Sequence, residues 1–109
     1  EKNSERFEEM KVTINKQNEK TLVTLEGRID TTNADQFQHD IAPLMEDERP
    51  NIDIDCSGMT YTSSQGLRVF LLLQKSVVAR NGKMVLHNMT PRVKEVFDIT
   101  GFSNIITII

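Results

Sequence analysis

Between Asn51 and Cys56 apolar and acidic side chains alternate without a break: Ile52, Ile54 and Cys56 fall on one face, Asp53 and Asp55 on the other. A strict period of two marks a strand with one dry and one wet face. A chain containing such a strand must build a sheet that helices cover mainly on one side.

The flanking segments supply the rest of that layer. Val12 and Ile14 alternate with polar residues, Asn15 to Lys20 is a polar turn, and Thr21 to Glu26 is β-branched and apolar up to Gly27, so an opening hairpin is expected. Asp30 to Asn33 offers short oxygen-bearing side chains suited to a helix start, after which Ala34, Phe37, Ile41, Leu44 and Met45 recur at helical spacing until Pro43 and Pro50 intervene. After the alternating strand, Thr60 to Ser64 reads as a polar turn and Leu67 to Arg80 as the longest helix, ended by Asn81-Gly82. Within it, Phe70 to Leu73 is assigned to the core. Lys83 to Asn88 is a strand; Thr90-Pro91 opens a helix carrying Val93, Val96 and Phe97 that stops at Gly101; Ile105 to Ile109 is a last strand. The order is β-β-α-β-α-β-α-β, an α/β domain whose mixed sheet has four or five strands and parallel crossovers.

Length and charge bound the function. One hundred and nine residues suit one domain, and 38% hydrophobic with 27% charged residues suits a globular core rather than a disordered segment. The formal net charge of −3 leaves no basic surface for a phosphate backbone, which argues against nucleic acid. A single cysteine, Cys56, precludes an internal disulfide, and its place on the apolar strand face marks an inert thiol. Residues 1 to 9 read as a polar leader before a domain over 10 to 109, with neither an apolar signal region nor a span of about 20 apolar residues. A cytoplasmic protein without a membrane partner is the expectation.

Three stretches then carry a resemblance. Asp55 to Leu67, DCSGMTYTSSQGL, resembles the central motif of the STAS domain family, in which a buried strand runs into a D-S-S-G-L-type turn that opens the main helix. Gly27 to Asp30, GRID, resembles the family's G-E-L-D at the end of the second strand, and Pro91 to Phe102, PRVKEVFDITGF, resembles its third helix. The order and spacing agree over about residues 10 to 109. Members also commonly carry a helix after the last strand, which has no counterpart before Ile109. The resemblance implies a single STAS-like domain of the anti-sigma-factor-antagonist type. It implies a bacterial regulator of transcription that binds an anti-sigma-factor serine kinase when unphosphorylated, so releasing a sigma factor. Phosphorylation of a serine in the central motif switches it off, and a serine phosphatase is the expected second partner. Matched on Gly66-Leu67, the phosphoacceptor falls on Ser64, with Ser63 where many members have Asp and Gln65 where many have Ser. The partner-binding residues implied are Asp30, Thr31, Thr62, Ser63, Ser64, Gln65, Gly66, Leu67 and Arg68, on a monomer or weak dimer without cofactor or metal.

The residues themselves admit plainer roles. Thr62 and Gln65 have the spacing of a capping box, which would make Ser63 and Ser64 the first two helical positions with exposed hydroxyls. Gly66 either leaves the surface open beside Ser64 or packs against a neighbouring strand. Asp30 is a partner contact, a helix cap, or both. His39 and His87 are isolated and suit surface roles, and Asp53 and Asp55 suit a solvated sheet face. Catalysis by Ser64 would need a base oriented by a third group, and there is no G-x-S-x-G elbow, so no enzyme is expected. The alternative to a switch is a constitutive STAS scaffold in which Ser64 is never phosphorylated.

Overall fold

A computed structural model of the chain describes residues 10–109; the expected polar leader over 1–9 lies outside them. Five strands form one sheet in the order β1-β2-β3-β4-β5: β1 (Lys11–Lys16), β2 (Thr21–Ile29), β3 (Asn51–Thr62), β4 (Lys83–His87) and β5 (Thr107–Ile108). The β1–β2 hairpin is antiparallel and the other three pairings are parallel. The crossovers carry α1 (Ala34–Ile41), α2 (Ser64–Ala79) and α3 (Pro91–Ile99). The mixed α/β architecture and its β-β-α-β-α-β-α-β order therefore stand as read from the sequence.

The period-two segments behave as expected where their pairing is regular. In register, Val23 faces Ile54 and Ile54 faces Leu86, and all three are buried. Thr24, Asp55 and His87 form the adjacent row and are only half-buried, on the opposite face. The buried row joins one cluster with the apolar side of every helix. At its centre Phe70 of α2 lies between Phe37 of α1, 5.3 Å between ring centroids, and Phe97 of α3, 5.5 Å away and edge-on. Tilted aromatic packing of this kind adds to the apolar burial that holds the three helices on the sheet.

Several boundaries differ from the sequence reading. Strand β2 does not stop at Gly27 but continues to Ile29, because Gly27 takes φ +102° and the register with β3 shifts on either side of it. A left-handed glycine within a bulge bends a strand without ending it. Strand β3 likewise runs through the expected Thr60–Ser64 turn as far as Thr62, since β2 offers paired backbone all the way. Helix α2 starts at Ser64, three residues before Leu67. Helix α1 ends at Ile41, and Pro43 converts its continuation into a 3-10 turn over Ala42–Met45. The last strand is only Thr107–Ile108. Within Phe70 to Leu73 the core holds Phe70 and Leu73 fully, while Leu72 is 41% exposed on the far side of the helix.

Candidate partner-binding site

The site lies where β2 and β3 end together and α2 begins. Ser63 N donates to Ile29 O at 2.9 Å, tying the junction to the end of β2, and Leu67 N donates to Ser63 O at 3.0 Å, the first bond of the helix. Ser63 is the N-cap: its backbone is extended and its Oγ accepts from Gly66 N at 3.2 Å. The capping box expected from Thr62 and Gln65 is therefore corrected. Thr62 pairs with Ile29 in the sheet and is 2% exposed, so it is too early and too extended to cap; its Oγ1 donates instead to Ser63 O at 3.2 Å. Gln65 does not reach back; its Oε1 accepts from Ser64 Oγ at 3.2 Å.

This arrangement divides the expected site residues in two. Thr62, Ser63, Gly66 and Leu67 are buried, and Ser63 is not the exposed hydroxyl that the capping-box reading made it. Ser64, Gln65, Arg68 and Thr31 are exposed, and Asp30 is half-buried. Gly66 does not leave an opening. A methyl group there would meet Thr62 Oγ1 inside contact distance and lie 2.9 Å from Ile29 Cγ2, so the glycine is the price of seating α2 on the ends of β2 and β3.

Asp30 is not the cap of α1. Its Oδ1 accepts from both the amide and the hydroxyl of Thr32, and its amide donates to Asn33 Oδ1 at 2.8 Å. Asn33 occupies the N-cap position but spends its side chain on this loop, donating also to Arg28 O at 2.9 Å. The Thr32 hydroxyl, then the Thr32 amide, hold the Asp30 carboxyl below the usual carboxylate range. Two residues that the sequence reading quoted within its motifs but did not count as site residues join the candidate site: the Arg28 guanidinium lies 5.2 Å from the Tyr61 ring centroid, and Arg28 Nε is 3.5 Å from Asp30 Oδ2. Their proximity depends on the shifted β2–β3 register, which no local pattern announces. The GRID motif was the available hint, since it placed Arg28 beside the end of β2.

The remaining candidates sit elsewhere. Burial pushes the Cys56 thiol up to about 12, in keeping with an inert group. Asp53 is paired with Lys20 at 3.1 Å, and Asp55 Oδ1 accepts from Ser57 N at 3.0 Å, each on the open sheet face. Among the described residues there is no group of three His, Cys, Asp or Glu able to hold a metal, and no helix long and apolar enough to cross a membrane.

Comparison with known proteins decides the family. The model of the STAS domain matches residues 11–109. This chain belongs to the STAS domain family. Among relatives of this STAS domain is the anti-sigma-B factor antagonist of Bacillus subtilis, 35% identical over 94 residues that cover 85% of each chain. An anti-sigma factor antagonist from Mycobacterium paratuberculosis has a similar structure, with a TM-score of 0.82 at 18% identity over 94% of this STAS domain and 86% of that chain. The Bacillus cell fate determinant SpoIIAA in its phosphorylated form also superposes, with a TM-score of 0.68 at 18% identity over 91% of each chain. At such identities the two structures establish the common fold.

Proposed function

We propose that this STAS domain is a cytoplasmic anti-sigma-factor antagonist. Unphosphorylated, it binds an anti-sigma-factor serine kinase and so releases a sigma factor; phosphorylation of Ser64 switches it off, and a serine phosphatase restores it. The observation that carries the reading is the contrast at the start of α2: Ser64 is exposed while its neighbours Thr62, Ser63 and Gly66 are locked into the junction. The similarity to the Bacillus subtilis protein, an anti-sigma-B factor antagonist, supports an anti-sigma factor as the partner.

The chemistry of the position suits a switch. A phosphate on Ser64 would stand in the first turn of a helix, where unsatisfied backbone N–H groups and the helix dipole favour an anion. It would add about −1.5 to −2 charges and bulk to the docking surface without disturbing the core. That a relative in fold, SpoIIAA, has a phosphorylated form fits this logic. Ser64 Oγ has Gln65 as its hydrogen-bond partner rather than a base, which favours a substrate hydroxyl over a nucleophile.

The test uses an anti-sigma-factor kinase from the same genome with magnesium and ATP. The domain gains one phosphate, mass spectrometry places it on Ser64, and Ser64→Ala abolishes incorporation. Phosphate on Ser63 or Thr62 would refute the assignment, and no incorporation with any such kinase would favour the constitutive scaffold.

A further inference from the structure

We propose that Tyr61, seated on Arg28, is a second anchor of the surface that receives the anti-sigma-factor kinase, and that the kinase meets it with an apolar contact. The proposal rests on the kinase-binding reading above and extends it to the open face of the sheet.

The register places the pair. Arg28 faces Tyr61 and Ile29 faces Thr62 across β2 and β3. Ile29 and Thr62 are buried under the helices, whereas Tyr61 is 43% exposed and the Arg28 side chain 40% exposed. Both side chains emerge beside the junction at which Ser63 N bonds Ile29 O. Tyr61 precedes Ser64 by three residues, so their Cα atoms lie within about 11 Å. A partner face of standard size covers about 800 Å² on each side, a patch roughly 30 Å across. A kinase that covers Ser64 on such a scale therefore reaches Tyr61.

The pair is also built as an anchor. The guanidinium lies 5.2 Å from the ring centroid and is itself tethered to Asp30, which the Thr32 turn holds in place. The Tyr61 ring thus has a restrained orientation before any partner arrives, which lowers the entropy that docking would otherwise cost. Tyrosine and arginine are the side chains that dominate interface energetics, because each combines apolar area with directed polar groups. The guanidinium is engaged by Asp30 and by the ring, so the contact offered to the partner is the exposed apolar body of Tyr61. The shared Tyr61, Arg28 and Asp30 chain also links this face to the β2–α1 loop that carries Thr31.

The experiment titrates the kinase that phosphorylates Ser64 into the wild-type domain and into Tyr61→Ala, Arg28→Glu and Ser64→Asp, with melting curves on each preparation. Tyr61→Ala and Arg28→Glu each weaken binding by about tenfold or more, and the double variant loses less than the product, as coupled neighbours do. Lys20→Glu, a charge reversal at the other end of β2, leaves affinity unchanged. Hydrogen exchange of the wild-type domain gives a reading independent of any variant's folding: the kinase protects the Thr60–Thr62 peptide as well as the start of α2. If Ser64→Asp abolishes binding while Tyr61→Ala and Arg28→Glu bind normally and Thr60–Thr62 stays unprotected, the anchor is refuted and the switch stands. If the wild-type domain binds no such kinase, both proposals fail.

Discussion

Gly66→Ala tests how the start of α2 is seated. In an open helix the substitution would stabilise by up to about 1 kcal/mol, because alanine is the better helix former. Here the added methyl lies 2.9 Å from Ile29 Cγ2 and closer still to Thr62 Oγ1. Neither neighbour can yield cheaply: Ile29 is 0% and Thr62 2% exposed, and the two are paired across β2 and β3. Relief requires α2 to lift, which would pull Gly66 N from the Ser63 cap. Overpacking of this kind costs about 1–3 kcal/mol. With two close contacts to buried neighbours the cost falls in the upper half of that range; less the propensity gain of about 1 kcal/mol, the net loss is about 1–2 kcal/mol, a fall in Tm of about 4–9 °C for a domain of this size. Thermal and urea unfolding followed by circular dichroism measure it, with an unchanged m-value marking a true stability change. A Tm that is unchanged or raised, together with weaker kinase binding, would refute the packing argument and restore the reading in which Gly66 keeps a surface clear for the partner.

Two further outcomes follow from the same geometry. Ser64→Asp puts a carboxylate in the first turn of α2, where the dipole favours it by about 0.3–1 kcal/mol, so Tm is held or slightly raised while kinase affinity, read by calorimetry, falls by the few kcal/mol that an uncompensated interfacial charge costs. A collapsed Tm would instead make Ser64 structural. Three carboxyls held low by hydrogen bonds contribute to the acid limb of stability: Asp30 by the Thr32 hydroxyl, Asp55 by the Ser57 amide and Asp98 by the Ser103 hydroxyl. Their folded-state pKa values lie below the unfolded ones, so their contribution is complete above the unfolded value near 3.8 and is lost as pH falls from there through the folded values. Carboxyl titration by NMR finds all three below 3.8, and Thr32→Val moves Asp30 upward; an unmoved Asp30 would refute the assigned cause.

What the sequence determined by itself is what obeys local rules. The alternation from Asn51 to Cys56 suffices to predict a strand with one wet face, because a period of two has no other regular backbone. Thr90, Pro91 and Gly101 bracket α3 correctly, since Thr90 Oγ1 accepts from Val93 N, the proline needs no donor, and Gly101 takes φ +84°. The central motif placed a buried strand running into the main helix within Asp55 to Leu67, which is where β3 and α2 meet. What the tertiary structure decided is what depends on pairing between distant segments. Thr60 to Ser64 reads as a turn, yet β2 lies alongside and draws its first residues into β3 as far as Thr62. That extension moves the cap from Thr62 to Ser63, buries Gly66 against Ile29, and brings Tyr61 over Arg28. Propensity and spacing act within a few residues; the shifted register between β2 and β3 is chosen by contacts across more than thirty, and only the folded chain brings those contacts together.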